Sequence, residues 1–170
     1  MTSLLDCPAT PGWPAPELFA IRPASCADGP AVRAFLAGLS IDSAYRRFFT
    51  GIGSPSPGFV RRFVEVEPGR RETVLAMLGD EVVGMADWAR HGDTCTVELG
   101  LVVADAWQRL GLGPRLADAV LDLAVARGAT TLVVRALFEN ARVARMLRRR
   151  WPGFAPAVED GALVWHLPLA

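Results

Sequence analysis

Between Thr73 and Arg127 the apolar pattern changes rhythm in a way that few architectures accept. Three stretches with strand character, Thr73 to Leu78, Val82 to Trp88 and Thr94 to Val103, are separated by the turn sequences Gly79-Asp80-Glu81 and His91-Gly92-Asp93. That spacing predicts a meander of antiparallel hairpins. A glycine-bearing turn, Gln108 to Gly113, then leads into Leu112 to Arg127, where apolar residues fall at 112, 116, 119, 120, 123 and 124 while Arg115, Asp118 and Asp122 share the opposite side. This segment reads as a long helix lying on a sheet and ended by Gly128.

The flanks complete the order. Ahead of the meander, Leu18 to Ile21 reads as a short strand. Asp28 opens a helical pattern through Val32, Phe35, Leu36 and Leu39, and a second helix covers Ser43 to Phe49. Gly51 to Gly58, with Pro55 and Pro57, reads as a loop and Phe59 to Val64 as a further helical piece. After the long helix come a buried strand, Thr131 to Ala136, a helix from about Asn140 to Arg150, and a closing hairpin of Phe154 to Val158 with Ala162 to Leu167. The expectation is a mixed α/β layer arrangement rather than a doubly wound sheet, formed by one domain over 17–170. Residues 1–16, broken by Pro8, Pro11, Pro14 and Pro16, read as a flexible tail.

Composition removes several function classes. All 18 basic residues are arginine, so chemistry that needs a lysine, including Schiff bases and the P-loop, is excluded. They balance 18 acidic residues, which argues against a dedicated nucleic-acid binder. Cys7, Cys26 and Cys95 are odd in number and widely spaced, with only His91 and His166 to assist them, so neither a disulfide framework nor a metal site is expected. The start of the chain lacks the basic and apolar segments of a signal peptide, and no apolar run is long enough for a membrane span. A cytoplasmic location is expected.

The glycine turn at a helix start is an anion site in outline, because first-turn amides lack intrahelical partners and the helix dipole favours negative charge there. It is not a dinucleotide fingerprint, since Leu116 stands where the third glycine would be, and it is not a Walker motif. The pattern Gln108-x-x-Gly111-x-Gly113 after a meander resembles the acetyl-coenzyme A loop of the GNAT family of N-acetyltransferases. The stretches Glu98 to Trp107 and Ser40-Ile-Asp-Ser-Ala-Tyr45-Arg-Arg-Phe-Phe49 are similar to its bacterial protein-lysine acetyltransferase (Pat-like) branch. The resemblance implies a GNAT fold, a central, mostly antiparallel sheet flanked by helices.

Glu98 is the candidate base. Alternation along Thr94 to Val103 sets Cys95, Val97, Leu99 and Leu101 on one face and Thr94, Thr96, Glu98 and Gly100 on the other. A lone carboxylate beside a residue without a side chain can take the proton of an amine, or can simply be a solvated strand residue. The resemblance favours the base.

It further implies that Gln108, Arg109, Leu110, Gly111, Leu112 and Gly113 cradle the pyrophosphate. Backbone amides of Leu101, Val102 and Val103 would hold the pantetheine arm, near a bulge that splays the strands. Asn140 has two readings, a helix cap or a contact to the cofactor arm. Seven residues on, Leu147 stands where many GNAT members carry a tyrosine acid. Tyr45 and Arg46, before the meander, are on the expected acceptor side. The five arginines from Arg142 to Arg150 read mainly as a solvated basic face, one or two of them within reach of a 3′-phosphate. His91 and His166 read as turn and strand residues, neither with a partner that would make it catalytic, and Trp88, Trp107, Trp151 and Trp165 as core or interface.

The expected function is acetyl transfer from acetyl-CoA to a primary amine, a protein lysine or a small molecule, by direct attack in a ternary complex. No metal, nucleic acid or membrane is involved, and self-association into a homodimer is left open. The alternatives are a CoA-binding regulatory module and an enzyme using another acyl-CoA.

Overall fold

The computed structural model describes residues 19–169, and the tail expected over residues 1–16 lies outside them. Seven strands form one sheet in the order β1-β2-β3-β4-β5-β7-β6. They are β1 (Ala20–Pro23), β2 (Arg71–Leu78), β3 (Glu81–Arg90), β4 (Thr96–Val103), β5 (Thr131–Ala136), β6 (Ala157–Glu159) and β7 (Ala162–Pro168). Every neighbouring pair is antiparallel except β4 with β5, which run parallel. The helices are α1 (Gly29–Ala37), α2 (Ile41–Phe48), α3 (Pro57–Val64), α4 (Leu112–Ala126) and α5 (Ala141–Arg150).

The layers follow from the alternation of the strands. Val97, Leu99 and Val103 of β4 join Trp88, Leu132 and Trp165 in one cluster with Leu116 and Val120 of α4 and Leu147 of α5. Val102 joins the other cluster, with Leu75 and Met85 beneath Leu36 of α1 and Phe63 of α3. One sheet face thus carries α4 and α5, the other α1 to α3. α4 lies close because Gly84 has no side chain, since a Cβ there would come within 2.8 Å of Leu116 Cδ1.

Most expected elements are present with shifted ends. α2 begins at Ile41 rather than Ser43 because Ser40 caps it, its hydroxyl accepting from the Ser43 amide, and it ends where Phe49 turns left-handed at φ 59°. Likewise α3 starts at Pro57, inside the expected loop, because Ser56 caps it and proline suits a first turn. β4 begins at Thr96 because Thr94 and Cys95 prolong the turn, the Thr94 hydroxyl donating to His91 O. The strand expected from Phe154 shrinks to β6 at Ala157.

One ion pair ties the sheet edge to the first helical layer. Arg22 of β1 donates through Nη1 and Nη2 to both carboxylate oxygens of Asp28, at 2.9 and 2.6 Å, and the Ser25 amide and hydroxyl donate to the same carboxylate. The guanidinium, aided by Ser25 and opposed by burial, holds Asp28 well below the usual carboxylate range. A lowered folded-state pKa means that this stabilisation is complete above the ordinary carboxylate value near 4 and disappears as pH falls toward the folded value. Asp28→Asn is expected to lower stability at pH 7 by about 1–2 kcal/mol, a range trimmed because Arg22 is partly exposed. Urea titrations should show the gap between variant and parent narrowing from pH 5 to pH 2.

Candidate functional site

The central seam of the sheet opens part-way along its length. β4 and β5 pair only from Thr96↔Thr131 to Leu99↔Val134, although β4 continues to Val103. Its other edge stays in unbroken register with β3, from Arg90↔Val97 to Gly84↔Val103. The strands therefore splay without the expected bulge, and the alternation of β4 does not flip. The register shift of this meander lies elsewhere, between Ala76 and Met77 of β2. Divergence of a parallel pair needs no extra residue, because each strand can remain bonded to its outer neighbour.

This geometry sorts the β4 amides. His91 donates to Thr96 O and Ala104 donates to Val83 O, so even-numbered residues of β4 turn their backbone groups toward β3. The odd-numbered ones face the cleft. Leu101 and Val103 thus aim their N–H groups into the opening, whereas the Val102 amide is committed to β3 and its side chain to the core under α1.

The glycine turn lies on the α4 face. Gly111 stands at the N-cap of α4 with φ 81°, no side chain caps the helix, and there is open space where a Cβ of Gly111 would be. At Gly113 the nearest neighbour of a Cβ is Leu101 Cδ2 at 3.8 Å. Arg109 is also left-handed, φ 66°, which exposes its side chain together with Leu110. Uncapped first-turn amides beside an exposed guanidinium, with room above them, suit a diphosphate.

Gln108 faces inward. Its Nε2 donates to Ser43 Oγ at 3.0 Å and to Val103 O at 3.1 Å, while Oε1 accepts from Arg142 of α5 at 2.6 Å. Asp105 completes this tie, accepting from the Ser40 amide and from the Ser40 and Ser43 hydroxyls. Burial works to raise the Asp105 pKa, but those donors outweigh it and the net direction is down. Asn140 caps α5, its Oδ1 accepting from the Val143 amide at 3.4 Å. Leu147 is 2% exposed and packed in the main core, so the place where the family's acid was expected holds a core side chain.

On the opposite face Glu98 stands at the last paired stretch before the cleft. Its Oε2 lies 3.2 Å from His91 Nε2, and Arg135 Nε is 3.8 Å from Oε1. Both histidines meet carboxylates: His91 returns from the hairpin turn onto Glu98, and His166 meets Glu159 at 3.4 Å. Arg135 also reaches Glu159, at 3.6 Å, so one ionic row crosses this face from β4 to β6.

The expected acceptor residues divide. Tyr45 is exposed on α2, and Arg46 pairs with Asp42 one turn away on the same helix. It is the next residue, Arg47, that reaches the sheet. Its guanidinium lies on Gly100, where a Cβ would fall on it, and Nη2 pairs with Asp87, the register partner of Gly100, at 2.5 Å. The Phe48 ring packs 4.8 Å from the same guanidinium. Arg47 Nε is buried without a partner, at a cost of about 1–3 kcal/mol that the ion pair offsets. Nothing in the sequence singles out Arg47 from Arg46 except that 47 falls three and four residues after Ala44 and Ser43, the buried side of α2.

Among the described residues no group of three or more histidine, cysteine, aspartate or glutamate residues is placed to hold a metal ion, and no helix is long and apolar enough to cross a membrane.

Comparison with known proteins agrees with this geometry. The model of the acetyltransferase (GNAT) family matches residues 39–151. Among solved structures, the GNAT domain of Streptomyces lividans PAT superposes with a TM-score of 0.80 at 21% identity, covering 93% of this chain and 100% of that one. The Salmonella typhimurium protein yncA, solved with its cofactor acetyl-CoA, gives 0.66 at 19% identity over 89% and 94%. The ribosomal-protein-alanine N-acetyltransferase of Brucella melitensis gives 0.68 at 20% identity over 88% and 99%. At such identities the likeness to these structures is one of fold. No curated protein matches the chain.

Proposed function

The chain belongs to the GNAT family of acetyltransferases, which use acetyl-CoA, and from that premise we propose that it acetylates a primary amine by direct attack in a ternary complex. One observation carries this reading. The cleft after Leu99 passes through the sheet, with the uncapped start of α4 on one face and Glu98 on the other. A donor entering between α4 and α5 and an amine entering over Glu98 would meet at Leu101 without competing for space.

Each residue then has a defined task. The amides of Gly111 to Gly113, with the Arg109 guanidinium, hold the diphosphate, and Asn140 at the start of α5 borders the arm. The Leu101 N–H, free of β5, hydrogen-bonds the carbonyl oxygen where charge develops. Acetyl-CoA supplies a thioester, so that the new C–N bond forms as the C–S bond breaks and CoA departs. Glu98 takes a proton from the bound ammonium before bond formation, leaving the neutral amine that attacks, with His91 and Arg135 fixing its carboxylate. With Leu147 in the core, the proton for the departing sulfur comes from solvent.

The preferred acceptor is a protein lysine. Glu98 is partly exposed and lies on the sheet half that α1 to α3 leave uncovered, an open approach suited to a side chain presented by a macromolecule. The test is to incubate the protein and radiolabelled acetyl-CoA with lysate and separate macromolecular from small-molecule label. The chain has no lysine, so its own side chains cannot contribute to the protein-bound label. Label mainly in protein is expected, and label only in small molecules would overturn the lysine preference.

A further inference from the structure

The acceptor face of the cleft has an unusual boundary. Gly100 is the position of β4 immediately after the last β4–β5 pair, and its missing side chain would be expected to leave space there. That space is filled. Arg47, reaching across from α2, lays its guanidinium on the Gly100 backbone, and its side chain is only 17% exposed.

Three contacts keep it there rather than in water: the Asp87 carboxylate, the Phe48 ring and the bare glycine itself. Asp87 also cancels its charge, so Arg47 acts on an approaching amine by occupying volume more than by repulsion.

The consequence concerns shape. Glu98 and Gly100 share one face of β4 and are separated by about 7 Å along the strand. With the guanidinium over Gly100, an amine directed to Glu98 has a passage bounded on one side by that carboxylate and on the other by Arg47. A single methylene chain needs about 4 Å to its neighbours on each contact. A branch on the carbon bearing nitrogen would press on the guanidinium, which is fixed from behind by Asp87 and cannot withdraw without leaving that partly buried carboxylate unpaired.

We propose that Arg47 is a specificity-determining residue which, seated over Gly100, restricts acceptors to amines on an unbranched carbon, –CH2–NH2. The inference rests on the acetyl-transfer reading above and narrows it: a lysine ε-amine satisfies the restriction, whereas the α-amine of an amino acid, other than glycine, does not.

The experiment compares two isomeric bisubstrate conjugates by calorimetry, so that turnover is not needed. In each, the CoA sulfur is joined through –CH2–C(O)– to the nitrogen of n-butylamine or of sec-butylamine, and CoA alone is titrated alongside. The full chain is expected to bind the n-butyl conjugate at least about tenfold more tightly than its branched isomer, the scale of discrimination that one methyl group can supply where it meets a fixed neighbour. Arg47→Ala should shrink that ratio to about threefold or less by gain of the branched conjugate. Should Arg47→Ala fail to fold, Arg47→Ala with Asp87→Ala removes both charges together and gives the same readout.

Equal affinities in the parent protein, with CoA binding intact, would overturn the inference and leave the acetyltransferase reading standing. A ratio that survives removal of Arg47 would overturn the assignment to that residue. Failure of CoA and both conjugates to bind would overturn both readings.

Discussion

Glu98→Gln is expected to lower turnover by about 10² to 10⁴ while leaving acetyl-CoA affinity close to that of the parent, the signature of losing a general base rather than a binding group. The size follows from the absence of a substitute. Asp87, the other carboxylate on this face of the meander, is held by Arg47, and His91 reaches the site through Glu98 itself. The glutamine keeps the volume and can still meet His91 and Arg135, so the sheet should be undisturbed. Steady-state rates across pH, with thiol release as the readout, should show a flattened acid limb. Parental turnover at every pH would assign the deprotonation to another group or to water.

The second large effect belongs to the turn before α4. Gly111→Asp places a carboxylate at the N-cap, over amides that no side chain satisfies. At about 4 Å, a unit charge facing another costs roughly 1 to 4 kcal/mol depending on exposure, and a diphosphate presents more than one. Acetyl-CoA binding should therefore weaken by about 10² to 10³. The fold should tolerate the change, since there is open space where the side chain would go and aspartate is among the non-glycine residues that best accept a left-handed φ such as the 81° observed there. Gly111→Asn is the matched control, equal in size and uncharged. Loss confined to the aspartate identifies repulsion of an anion. Unchanged affinity in both variants, measured by calorimetry, would remove the turn from the binding site.

What the residues revealed in advance, and what they concealed, divides by distance along the chain. The meander, the helix of Leu112 to Ala126 and the anion-binding turn depend on neighbours a few residues apart, and their periodicity is visible directly. The face of Glu98 was legible for the same reason. Its partners were not: Arg135 comes from a strand reached only after α4, and Arg47 from a helix before the meander. Which of two adjacent arginines turns inward depends on the rotation of α2, fixed by the Ser40 cap and by Asp105 far downstream. The cleft was expected from a bulge, a local device, whereas it arises from two parallel strands each keeping faith with a different outer neighbour. That property belongs to pairing between distant segments, and no single stretch carries it. Leu147 was placed by counting from Asn140, and its packing in the core depends on strands distant along the chain.

The four-residue seam between β4 and β5 has a mechanical meaning. On one side is an antiparallel panel of β1 to β4, on the other an antiparallel panel of β5, β7 and β6. Within the first panel the ladders of β2 with β3 and of β3 with β4 run nearly the length of the strands, interrupted only by the shift at Ala76 and Met77, while between panels the ladder stops half-way and leaves an unlaced edge. The molecule is thus two plates riveted at one end. α4 lies on the first panel and meets α5 through the exposed pair of Arg150 and Asp118. A ligand lodged in the unlaced half would act as a second rivet, so occupancy and rigidity of the sheet are the same free energy viewed from two sides.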